Sequence, residues 1–76
     1  MERDYTIVLV PNAGEGVYTV TVPALPGCVT QGRTVEECIE RAKEAIAGWI
    51  EGARLAGEPI PDEAQRPQVI TIRVAA

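Results

Sequence analysis

The stretch TVEECIERAKEAIAGWIEGARLAG, residues 34–57, decides the fold. Apolar side chains recur at Val35, Cys38, Ile39, Ala42, Ile46, Trp49, Ile50 and Ala53, the three- and four-residue spacing that lines one face of a helix. Glu36, Glu37, Glu40, Arg41, Lys43, Glu44 and Glu51 fall off that stripe and predict a solvated face. Thr34 followed three residues later by Glu37 is a capping box. The threonine oxygen accepts from the Glu37 N–H, and the Glu37 carboxylate is expected to reach back to the Thr34 N–H. Gly57, with Pro59 and Pro61 behind it, stops the helix. Leu55 lies off the apolar face and is a candidate contact residue.

Upstream, the period changes from that of a helix to that of a strand. Residues 5–10 (YTIVLV) are β-branched and aromatic, and residues 17–22 (VYTVTV) alternate. The turn cluster PNAGEG between them predicts a hairpin with a loop longer than two residues. Pro23 to Gly27 breaks the pattern, and a short third strand is expected over residues 28–31, ended by Gly32. Downstream, residues 68–74 alternate again: Ile70, Ile72 and Val74 share one face, Val69, Thr71 and Arg73 the other. The predicted fold class is therefore α+β. A three-stranded antiparallel meander is followed by one long helix and a returning fourth strand, βββαβ. A right-handed crossover would set the fourth strand parallel to the first, making the first strand central. One helix covers one face of such a sheet, leaving a mixed Thr/Val face open to solvent, to a partner or to a second copy. A helix of about 33 Å also overhangs strands of about 20 Å. The overhang is expected near Trp49 to Ala53, under the Pro-containing segment or a neighbouring subunit.

Length and composition bound the function. Seventy-six residues make one expected domain, 1–76, with 46 % hydrophobic residues, enough for a single core. A chain of this size buries only about 60 % of its unfolded surface, so self-association is a natural source of further stability. No apolar run approaches the ~20 residues of a membrane span, and the charged start shows no signal peptide, so a cytoplasmic location without membrane contact is expected. The net charge of −4 offers no basic stripe for phosphates, which argues against direct nucleic-acid binding and suits a basic protein partner. Histidine is absent, removing the commonest general base and metal ligand. Cys28 and Cys38 match no zinc or redox spacing and are expected to be reduced core residues. Asp4 stands at the start of the first strand, but the fourth strand offers no acid to share a metal with it, and no nucleophile–base pair or phosphate loop is present. No catalytic, metal or cofactor site is expected, and the chain reads as a non-enzyme.

The stretch from Tyr18 to Ile46 resembles the N-terminal domain of the HicB antitoxin family. Leu25-Pro26-Gly27-Cys28, then Thr30-Gln31-Gly32, then Thr34 with Glu36-Glu37, then Ala42-Lys43-Glu44-Ala45 carry the resemblance, in order and at fixed spacing. It extends over roughly residues 5–62. Each part also has a local structural reason. Pro26-Gly27 makes a turn, Gly32 ends a strand, and Thr34 and Glu37 cap a helix. The resemblance implies a partial RNase H-like fold, a homodimer, and neutralisation of a HicA-like toxin, a small basic mRNA interferase that uses a histidine. It further implies a DNA-binding module beyond the domain. Since residue 76 directly follows the last strand, a chain without that module is expected. Where many relatives have an aromatic residue before Pro23 and an aspartate after it, this chain has Val22 and Ala24. The partner-facing residues suggested are Leu25, Pro26, Gly27 and Cys28, whose turn-forming role is the alternative. An orphan protein-binding or oligomerisation module without a toxin is the alternative function.

Overall fold

The computed structural model describes residues 2–63 and 66–75. Three strands precede one helix: β1 (Val8–Asn12), β2 (Val17–Thr21), β3 (Val29–Gly32) and α1 (Val35–Leu55). The sheet is an antiparallel meander in the order β1-β2-β3, with Leu9 opposite Val20 and Val20 opposite Thr30. The α+β class, the meander and the long helix are as the sequence predicts.

The alternation in β2 sets the core. Val20 faces the helix and is fully buried with Cys38 and Ala42, while Ile7, Leu9 and Tyr18 pack around them. A second cluster forms where the chain leaves β2: Val22, Leu25 and Cys28 are buried against Tyr5, Ile7, Ala45, Ile46 and Trp49. At the join of β3 and α1, Gly32 is buried, and a Cβ built on it would lie 2.8 Å from Cys38 Sγ. Only a glycine lets the strand end approach the first helical turn this closely.

Both ends of α1 are built as the sequence implies, with one change. The Glu37 N–H donates to Thr34 Oγ1 at 3.0 Å, as in a capping box. The Glu37 carboxylate reaches the Arg33 N–H at 3.1 Å rather than that of Thr34, one residue earlier than expected. At the other end Gly57 has φ +71°, Glu58 N–H donates to the Ala53 carbonyl, and Gly57 N–H to that of Arg54. This pair of bonds is a Schellman closure.

Three expectations need correction. Residues 68–74 form no strand: the segment pairs with nothing in the sheet, and Val69, Ile70, Ile72 and Val74 are 71–86 % exposed. Consequently β2 rather than β1 is central, and β1 is an edge. The physical reason lies in the connection before the segment. Tyr5 Oη donates to the Pro61 carbonyl at 2.6 Å, Thr6 N–H and Oγ1 donate to the Glu63 carboxylate at 2.6 and 2.5 Å, and Arg3 pairs with Asp62. These contacts occupy the backbone leading into β1, which also explains why the strand begins at Val8 rather than Tyr5. Finally, Trp49, which the sequence places in the overhang, packs on the cluster of Val22, Leu25 and Cys28.

Candidate partner-binding surface

Residues 22–28 form two consecutive turns. Leu25 N–H donates to the Val22 carbonyl at 3.0 Å, and Cys28 N–H to that of Leu25 at 3.0 Å. In the second turn Pro26 supplies a fixed φ at the first central position and Gly27, at φ +78°, the positive φ that a type II turn demands at the next. A Val22 N–H to Cys28 carbonyl bond of 3.1 Å closes the base. The helix holds the tip from outside: Trp49 Nε1 donates to the Pro26 carbonyl at 2.9 Å.

The four suggested residues thus divide in two. Leu25 (1 % exposed) and Cys28 (5 %) point into the core, whereas Pro26 and Gly27 are exposed at the tip. Burial pushes the Cys28 thiol pKa up, since desolvation disfavours the thiolate. Cys28 and Cys38 are both free and buried. Away from the loop, the solvated face of the helix carries exposed Glu36, Glu40, Glu44 and Glu51. Glu40 pairs with Lys43 at 3.6 Å and Glu51 with Arg54 at 2.7 Å.

A groove that the sequence did not reveal lies beside the cluster of Val22, Leu25 and Cys28, sharing Tyr5, Ile7 and Ile46 with it. It has a volume of about 680 Å³ and runs between the segment entering β1 and the helix. Tyr5, Ile7, Ile39, Ile46 and Ile50 line it, together with charged Asp4, Lys43 and Arg66. The one available signal was that residues 5–10 are apolar on both faces, more than a solvated edge strand requires. Among the described residues, no three His, Cys, Asp or Glu side chains converge as a metal site. No described helix is long and apolar enough to cross a membrane.

The sequence pattern described as HicB_like antitoxin of bacterial toxin-antitoxin system matches residues 5–72. The chain belongs to the HicB-like antitoxin family. Its geometry agrees with a solved relative, the N-terminal domain of the Burkholderia pseudomallei antitoxin HicB. That domain is 34 % identical and superposes with a TM-score of 0.63 over 82 % of this chain and 69 % of that one. A UPF0150 protein of Thermoplasma acidophilum is 46 % identical over 57 residues, covering 75 % of this chain and 81 % of its own length. A UPF0150 protein of Synechocystis is 38 % identical over 58 residues, 76 % of this chain and 78 % of the relative. For a HicB-like domain the turn, strand-end and cap residues quoted from the sequence are scaffold parts: each makes one of the backbone closures described above.

Proposed function

We propose that residues 1–76 act as one HicB-like domain that binds and occludes a small basic HicA-like toxin, an mRNA interferase, by contact rather than by catalysis. Membership of the antitoxin family, matched over residues 5–72, is the observation that carries this reading. The net charge of −4 supports it, since opposite fields speed encounter and favour a basic partner over nucleic acid. The proposed contact is the loop 25–28. Leu25 and Cys28 anchor it from within, while Pro26 and Gly27 present a rigid, exposed tip held by Trp49. Because the loop is already fixed by turn bonds and the indole, little ordering cost is left for association. The working form is a cytoplasmic homodimer with a partial RNase H-like fold that makes no direct contact with nucleic acid.

The test is a ribonuclease assay with the HicA-like toxin and a labelled RNA, titrated with the purified domain. Stoichiometric suppression of cleavage supports the reading, and undiminished cleavage at saturating domain refutes it. A Pro26→Asp/Gly27→Asp variant that folds yet suppresses cleavage equally well refutes the assignment of the loop.

A further inference from the structure

The chain carries an unused strand and an unused place for one. The unused strand is residues 68–74. Its Val69, Ile70, Ile72 and Val74 are 86, 73, 74 and 71 % exposed, an unusual state for four β-branched aliphatic side chains within six residues. The unused place is the outer edge of β1, which has no strand neighbour among the described residues, together with the apolar groove beside it. An uncovered edge of this kind is a template for another strand. Here the groove adds an aliphatic wall, Ile39, Ile46 and Ile50, that it shares with Tyr5 and Ile7 from the segment entering β1. The Thr6 N–H is taken by Glu63, so the open edge runs from Ile7 to Val10, and Pro11, with no N–H to give, bounds the ladder.

Within one chain the two do not meet. The bonds from Tyr5 and Thr6 to Pro61 and Glu63 bring the connection to the start of β1, and residues 66–75 then stand away from the sheet. The molecule measures 49 × 26 × 19 Å, with a radius of gyration of 14.5 Å. A compact chain of this length has one of about 11 Å. Since every copy has both an exposed strand and an open groove, a two-fold pair satisfies each with the other's segment, the self-complementary arrangement that homodimers use.

From this we infer that two copies of this chain exchange residues 68–74, each laying the segment along the β1 edge of the other with Ile70, Ile72 and Val74 in the groove under α1. Main-chain bonds along the edge give the affinity, and the alternate aliphatic side chains fix the register. The fourth strand that the sequence implies is thus formed between copies. This deepens the dimer reading proposed above and rests on it.

The experiment is light scattering on the full chain and on two variants, with helical circular dichroism to confirm folding. Ile70→Asp/Ile72→Asp alters only exposed tail positions, and Ile39→Asp alters a groove residue that is 41 % exposed, so both variants should keep the helix signal. The wild-type chain is expected at about 16 kDa, twice 8.1 kDa. Each variant alone is expected as a folded 8.1 kDa monomer. Mixed together, they should recover a dimer, because the intact tail of one meets the intact groove of the other. A tail variant that stays dimeric refutes the exchange but leaves the dimer. A monomeric wild-type chain refutes both. Two monomeric variants that fail to complement on mixing also overturn the exchange.

Discussion

Replacing Gly32 by alanine puts two effects of opposite sign against each other. The backbone at Gly32 lies outside the left-handed region, so alanine would reduce the freedom of the unfolded chain and, by that alone, stabilise by about 0.4–1 kcal/mol. In the folded chain the new Cβ would sit 2.8 Å from Cys38 Sγ, 2.9 Å from Cys38 N and 3.1 Å from Cys38 Cα. Ordinary carbon contacts lie at about 3.5–4.0 Å, so β3 and the first helical turn must part by roughly 0.7–1 Å. Neither side yields easily. Cys38 is fully buried with Val20 and Ala42, and its N–H is bonded to the Thr34 carbonyl at 2.9 Å. Overpacking of this kind costs about 1–3 kcal/mol, so steric strain wins and a net loss of about 1–2 kcal/mol is expected. With a urea slope of about 1 kcal/mol/M for so small a chain, the unfolding midpoint should fall by about 1–2 M at fixed protein concentration. Adding Cys38→Ala removes the Sγ clash but not the backbone one, so it should not restore the midpoint. A midpoint equal to or above that of the wild type would refute the close approach of β3 to α1.

Gly48 and Gly52 should respond in the opposite direction. A Cβ at either meets nothing within 4 Å, so alanine there should raise the urea midpoint, each by about 0.5–1 kcal/mol of helix propensity. A decrease would mean that the helix face is already occupied. Trp49→Phe keeps the ring but removes the donor to the Pro26 carbonyl, for an expected loss of about 1 kcal/mol in the same titration. No loss would mean that the indole does not hold the loop. Glu63 gives a pH test. Its carboxyl pKa is held below the usual glutamate value, first by the Thr6 hydroxyl, then by the Thr6 N–H, with Arg66 adding. A carboxyl whose folded pKa is lowered stabilises the fold fully above its unfolded pKa, and that contribution is lost as the pH falls through the lowered folded value. The difference in unfolding midpoint between wild type and Glu63→Gln should therefore be constant near neutrality and shrink in acid. A difference independent of pH would contradict the docking of the connection on Thr6.

What the sequence made legible is what local chemistry determines. The helix is set by 3.6-residue periodicity, Thr34 and Gly57, all within the segment itself; β1 is set by its β-branched and aromatic run and β2 by alternation, on either side of a glycine-bearing turn. The Leu25–Cys28 turn was equally readable from Pro26-Gly27. The missing information is relational. Alternation in residues 68–74 marks a sequence able to be a strand but says nothing about which edge it joins, and within one chain it joins none. The Trp49–Pro26 bond spans 23 positions, and the shift of the Glu37 carboxylate to Arg33 is a one-residue detail of cap geometry. For the site, Leu25 to Cys28 stood out through resemblance, but their division into two buried anchors and two exposed tip residues needed three dimensions. The groove combines residues about forty positions apart, Tyr5 and Ile7 with Ile46 and Ile50, and no linear pattern joins them.

Isothermal titration of a HicA-like toxin into this acidic domain measures directly whether the two associate. The expected result is saturable binding with a sub-micromolar Kd that weakens as salt is raised, since exposed charges are screened over about 10 Å at 0.1 M. RNA cleavage should fall in step with occupancy. No heat of binding, together with undiminished cleavage by the toxin, would contradict it.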